Sequence, residues 1–187
     1  ARTALQPALH ALAEWAHAGG RTALVAACAA LGQSSVAGLS ATLPGPTGER
    51  NQYTLAPRAR TLCLAASDGD RLTQLAAVLA VGGTAVWPQH EAAALRGQLP
   101  ATVQERIALV SDWQDGAVAL DAVLHHGDAD SLRRVCAAVA QRPGAIVGVT
   151  GLAPGATDIP LERLVIERAL SVNTAAAGGN ASLMTMA

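Results

Sequence analysis

The sequence predicts an α/β fold of Rossmann-like type, a parallel sheet with helices on both faces, joined to amino-terminal helices and a projecting hairpin. Three observations carry that expectation. Short apolar runs alternate with helix-patterned segments from Thr61 onward, prolines and glycines cluster at a tight reversal between residues 44 and 48, and the first apolar residues recur at helical spacing.

The elements follow in order. Residues 4 to 18 place Leu5, Leu9, Leu12 and Ala16 on one helical face, with Glu14 and His17 off it, and Gly19-Gly20 stop the helix. A second helix is expected from roughly Thr22 to Leu31. Val36 to Leu43 and Gln52 to Ala56 flank Pro44-Gly45-Pro46-Thr47-Gly48, where proline fixes φ and glycine permits positive φ, so the flanks can pair as a hairpin. Beyond it come TLCLAA, DRLTQLAAVLAVGG, TAVWP, HEAAALRGQL, RIALV, DAVLHH, DADSLRRVCAAVAQ and AIVGVTGL. Five apolar strands, most followed by helices, require crossovers and hence a parallel sheet covered on both sides. After Pro154-Gly155, PLERLVIERAL leads into an extended stretch from Leu170 to Thr174 and an uncharged tail. The expected division is 1–35 for the helices, 36–59 for the flap, 60–152 for the body and 153–187 for the closing segment.

Composition narrows the chemistry. A chain of 187 residues suits one compact core with appendages. No apolar run approaches the roughly twenty residues that cross a bilayer, so a soluble protein with no membrane partner is expected. The absence of an initiator Met and of a signal-peptide pattern reads as a fragment of a longer chain. A formal charge of -1, with the cations dispersed, argues against nucleic acid. All thirteen cations are Arg; with no Lys in the chain, a phosphate-loop lysine, a Schiff-base lysine and a lysine general base are excluded. Cys28, Cys63 and Cys136 sit among Ala, Leu and Val and read as buried thiols of a reducing, cytoplasmic compartment.

Sheets of this type bind dinucleotides beyond the carboxyl ends of their strands, but the residues there are wrong for it. The first strand runs into Ala65-Ala66-Ser67-Asp68-Gly69-Asp70, without G-x-G-x-x-G, and the fourth into His125-His126-Gly127-Asp128. Carboxylates stand where a helix amino terminus would meet a pyrophosphate, so Asp70 and Asp128 read as residues that complement helix dipoles. Adjacent His125 and His126 point to opposite faces of a strand and cannot easily share a metal; one buried and one exposed imidazole is expected. His10, His17 and His90 lack partners at metal-ligand spacing, and neither Ser34-Ser35 nor any cysteine has the setting of a nucleophile. No catalytic or metal set emerges. The tail differs: Ser171, Val172, Asn173, Thr174, Gly178, Gly179, Asn180, Leu183 and Met184 combine hydrogen-bonding groups, close-approach glycines and apolar anchors, a composition suited to lying in a groove.

LPGPTGERN (43–51), YTLAPR (53–58), LTQLAAVLAVG (72–82) with AVWP (85–88), and PLERLVIERALSVNTAAAGGNASLMTMA (160–187) resemble the C-terminal domain of proline utilisation A. The resemblance runs from about Ala23 to the end. It implies a parent that joins an FAD-dependent proline dehydrogenase to an NAD-dependent glutamate semialdehyde dehydrogenase, with the intermediate passed through an internal tunnel. It further implies that this domain has an aldehyde-dehydrogenase-like nucleotide fold without an active site or cofactor of its own, and that its tail packs on the catalytic aldehyde dehydrogenase module of the same polypeptide, in a homo-oligomer. Working relatives of that fold carry Lys before Pro after the second strand, where Trp87 stands here, and a glycine-serine turn after the fourth, where Gly127-Asp128 stands. Tunnel cover and support of assembly is the role implied. A regulatory nucleotide site and a plain oligomerisation module remain as alternatives.

Overall fold

The computed structural model describes residues 7–173. Two helices come first among the described residues, α1 (Pro7–Ala18) and α2 (Thr22–Ser34), followed by strands β1 (Ser40–Leu43) and β2 (Glu49–Pro57). The body then alternates β3 (Arg60–Ala65), α3 (Asp68–Val81), β4 (Thr84–Pro88), α4 (Gln89–Gly97), α5 (Ala101–Gln104), β5 (Ile107–Val110), β6 (Ala122–His126), α6 (Ala129–Ala140) and β7 (Gly148–Leu152). A 3₁₀ turn, Leu161–Leu164, leads into β8 (Val165–Asn173).

The five body strands pair in the order β5-β4-β3-β6-β7, and every pair is parallel. Strand order reverses between β3 and β6, which marks the crevice where such sheets hold ligands. Alternation along the strands divides the core in two. Cys63, Ala85, Trp87, Ile107 and Leu124 face α1, α2 and α3, whereas Leu62, Leu64, Val86 and Val123 face Val135 and Val139 of α6. In α3 every residue from Arg71 to Val81 is buried, because the helix is sandwiched between the sheet and α2. Its ends are defined locally: the Ser67 hydroxyl accepts from the Asp70 N–H (3.1 Å), and Gly82 closes it at φ +82 in the left-handed region.

The second sheet is antiparallel, in the order β1-β2-β8. Nine residue pairs join β2 to β8, from Pro57 with Val165 at the body to Glu49 with Asn173 at the far end, a span of about 30 Å. Gly48 takes φ +89 in the reversal between β1 and β2, and the Glu49 N–H donates to the Pro46 carbonyl (3.1 Å). Arg58 fixes the flap at its root: its N–H bonds the Leu164 carbonyl (2.8 Å), and its guanidinium bonds the carbonyls of Arg163 and Asp121 (3.0 and 3.1 Å).

Three expectations need correction. The last strand begins at Val165, not Leu170, because β2 supplies a ladder along its whole length. His125 and His126 are both buried, at 7% and 2% exposure, since helices or loops close both faces of β6. Cys28 and Cys63 are buried but Cys136 is exposed, lying off the Val135–Val139 face of α6.

Candidate functional site

The place to look for function is the carboxyl end of the sheet, where β3, β4 and β6 hand over to α3, α4 and α6. Trp87 is fully buried there. Its indole N–H has no oxygen or nitrogen acceptor and faces the Cys63 thiol, which partly opposes the effect of burial; burial still pushes that thiol up to about 12. Trp87 thus fills the layer under the crevice with apolar volume and offers no donor to a ribose.

Gly127 is required by close approach. A Cβ there would lie 2.4 Å from His125 Nε2 and 2.5 Å from Ser131 Oγ, which are 2.9 Å from each other. The Ser131 hydroxyl donates to the Asp128 carbonyl (2.9 Å), so His125 donates from Nε2, leaving its Nδ1 buried without a partner. Burial pulls the His125 pKa below its usual value, with His126 adding to the effect. Asp128 is the N-cap of α6: its carboxylate accepts from the Ser131 N–H at 2.7 Å, which together with the Ser131 side chain holds its pKa low. Both helix amino termini at the crevice are therefore capped from within. Four acids guard them, Asp68 and Asp70 on α3 and Asp128 and Asp130 on α6. The buried cation nearby, Arg71, is engaged by Glu91 Oε2 and the Ala65 carbonyl, both at 2.6 Å. An anionic pyrophosphate would meet repulsion here in place of free N–H groups.

The crevice also has an occupant from the chain itself. The segment after β7 crosses the sheet end, and Gly155 N–H donates to Asp70 Oδ1 (2.9 Å) at the mouth of α3. The Ala156 carbonyl accepts from His126 Nε2 (2.9 Å), and His126 Nδ1 accepts from Gln74 Nε2 (2.9 Å), which also donates to the Leu64 carbonyl (2.9 Å). Sequence reasoning passed over Gln74 and gave His126 no partner. The available signal was a lone amide inside the apolar helix LTQLAAVLAV, since a buried polar group demands a partner. Of the expected packing segment, Ser171, Val172 and Asn173 end β8 at the far end of the flap, with Ser171 and Asn173 exposed. Thr174, Gly178, Gly179, Asn180, Leu183 and Met184 lie outside the described residues. Among the described residues no cluster of His, Cys, Asp and Glu is placed to hold a metal, and no helix is long and apolar enough to cross a membrane.

A five-stranded parallel sheet of this order, carrying an antiparallel flap, defines an aldehyde-dehydrogenase-like nucleotide fold. The fold is shared by a substrate-bound state of Staphylococcus aureus AldH (TM-score 0.53, 13% identity, 78% of this chain and 40% of that one). It is shared too by a structure of proline utilization A with proline bound in remote sites (TM-score 0.52, 23% identity, 68% and 15%). The chain is homologous to one region of the bifunctional protein PutA. It is 54% identical to the Escherichia coli K12 protein over 99% of this chain and 14% of that protein, and 41% identical to the Rhizobium meliloti protein over 96% and 15%. It thus spans about a seventh of the length of these relatives. No family model matches it.

Proposed function

We propose that this region is the non-catalytic C-terminal domain of a cytoplasmic proline-catabolic enzyme, in which it covers the tunnel between two active sites and supports the dehydrogenase module. The parent, by this reading, is a homo-oligomer that oxidises proline with FAD and the resulting glutamate semialdehyde with NAD, while this region holds neither cofactor. The observation that carries the reading is the pairing of two features. The crevice that would bind a dinucleotide is crossed by the chain's own residues 153–157, tied by Asp70 and His126. The flap, in contrast, carries β8 away from the body, and the residues of that strand from Ile166 to Ser171 are all exposed. A fold that retains its scaffold, closes its own site and extends a strand ending in Ser171, Val172 and Asn173 is suited to covering a neighbour.

Deleting residues 171–187 from the full-length polypeptide tests this. The expected result is a lag in NADH formation from proline with the oligomer intact and each half-reaction unchanged. Loss of the oligomer without a lag would favour plain oligomerisation.

A further inference from the structure

A strand at the edge of a sheet offers its outward N–H and C=O groups to any other extended chain, and proteins blunt such edges with brevity, charge or cover. Among the described residues four strands lie at edges: β1 and β8 in the flap, β5 and β7 in the body. β1 has four residues, and β8 carries Glu167 and Arg168. On β5, Arg96 Nε donates to the Ile107 carbonyl (3.2 Å) and so occupies an edge acceptor. β7, one residue longer than β1, has neither charge nor cover among the described residues. It lies within a stretch from 143 to 157 without a charged residue, and it follows Ile146, which is 99% exposed.

The orientation of β7 follows from its pairing. The Leu152 carbonyl accepts from the Gly127 N–H on the β6 side (3.0 Å), so alternation turns the N–H and C=O of Val149 and Gly151 outward. Among the described residues those outward groups meet no hydrogen-bond partner. Gly148 and Gly151 are exposed, which leaves the backbone open to approach. Gly151 is held from within, since a Cβ there would stand 2.5 Å from Leu132 Cδ2.

We propose that the outer edge of β7 receives an extended, uncharged strand from the rest of the same polypeptide, which adds to the body as a sixth strand. The tether decides the occupant. Relatives carry this region as 14% to 15% of their length, so each copy is linked to several times its own mass of chain. A tether of that kind supplies an effective concentration of order millimolar, which a second copy in dilute solution does not match. An edge without charge offers nothing for an incoming charge to pair with, and so selects a strand of like character. The inference rests on the homology and not on the tunnel-covering reading.

Hydrogen exchange followed by mass spectrometry tests it, comparing the full-length polypeptide with the 187-residue chain at several concentrations and reading peptides across 147–152. The expected result is fast exchange in the isolated chain at every concentration and exchange slowed about 100-fold in the full-length protein. The I146K/G148K variant, whose side chains point to open space, should lose that protection in the full-length protein while keeping its circular dichroism. Equal exchange in the two proteins overturns the proposal. Protection that grows with concentration in the isolated chain overturns it in favour of a second copy, and protection that survives I146K/G148K overturns it as well.

Discussion

The body sheet and the flap use the same backbone chemistry to opposite ends. β3 is buried from Thr61 to Ala65, and α3 from Arg71 to Val81, so the ladder bonds at the centre of the body are backed by side chains removed from water. β8 is paired with β2 over nine residues, yet only Val165 is buried. Leu39, Leu43, Ile166 and Leu170 are exposed on or beside the flap. Burial of apolar surface dominates stability, whereas a ladder bond traded against water contributes only about 1 kcal/mol. The stability of the body is therefore set by its own core, and that of the flap by its ladder. The difference teaches that one chain can join a sheet held by its core to a sheet held mainly by its backbone ladder.

The sharpest break of that comparison comes from the body. Trp87→Ala should destabilise the chain by about 3–5 kcal/mol in denaturant unfolding, because it opens a cavity under a fully buried residue. A truncation in the flap, Leu170→Ala, should lower stability by no more than about 0.5 kcal/mol, since Leu170 is 57% exposed. A large effect at Leu170 would mean that the flap is folded back on the body.

Next in size is His126→Leu, which removes the acceptor of Gln74 and the donor to Ala156. A loss of about 1–3 kcal/mol is expected, with faster hydrogen exchange at 153–157 and none at β2. Its neighbour sets an acid dependence. The folded-state pKa of His125 lies below the unfolded value of 6.5, so its contribution to stability is complete above that value and is lost as pH falls through it toward the lowered one. His125→Gln should flatten the fall in melting temperature in that window; an unchanged slope would place the titration elsewhere. The smallest perturbation is chemical. Under native conditions an alkylating reagent should label Cys136 and spare Cys28 and Cys63, whose burial pushes them up to about 11 and about 12.

Much of the fold was legible because local signals and topology agree. TLCLAA, TAVWP and DAVLHH are short apolar runs between helical patterns, and they became adjacent parallel strands β3, β4 and β6. The reversal at 44–48 announced β1 and β2 through its prolines and glycines. At the strand ends the sequence showed which residues stand there, Asp70 after β3 and Asp128 after β6, and the structure places both at helix amino termini. What crosses the crevice was not legible, because Asp70 and Gly155 are 85 residues apart and no local pattern records such a contact. The burial of both histidines escaped for a related reason: they end β6, where the cover comes from Ser131 and Ala156 beyond the strand and not from the helical faces that the strand pattern predicts.

The crevice at the ends of β3 and β6 is crossed by residues 153–157 and flanked by Asp70 and Asp128. Calorimetric titration of the 187-residue chain with NAD tests this most directly. No saturable heat up to millimolar NAD is predicted, with the same null result for Asp70→Ala, since the loop and its His126 bond remain. Saturable micromolar binding that Gly127→Ala abolishes would contradict it, and would return the crevice to its use as a nucleotide site.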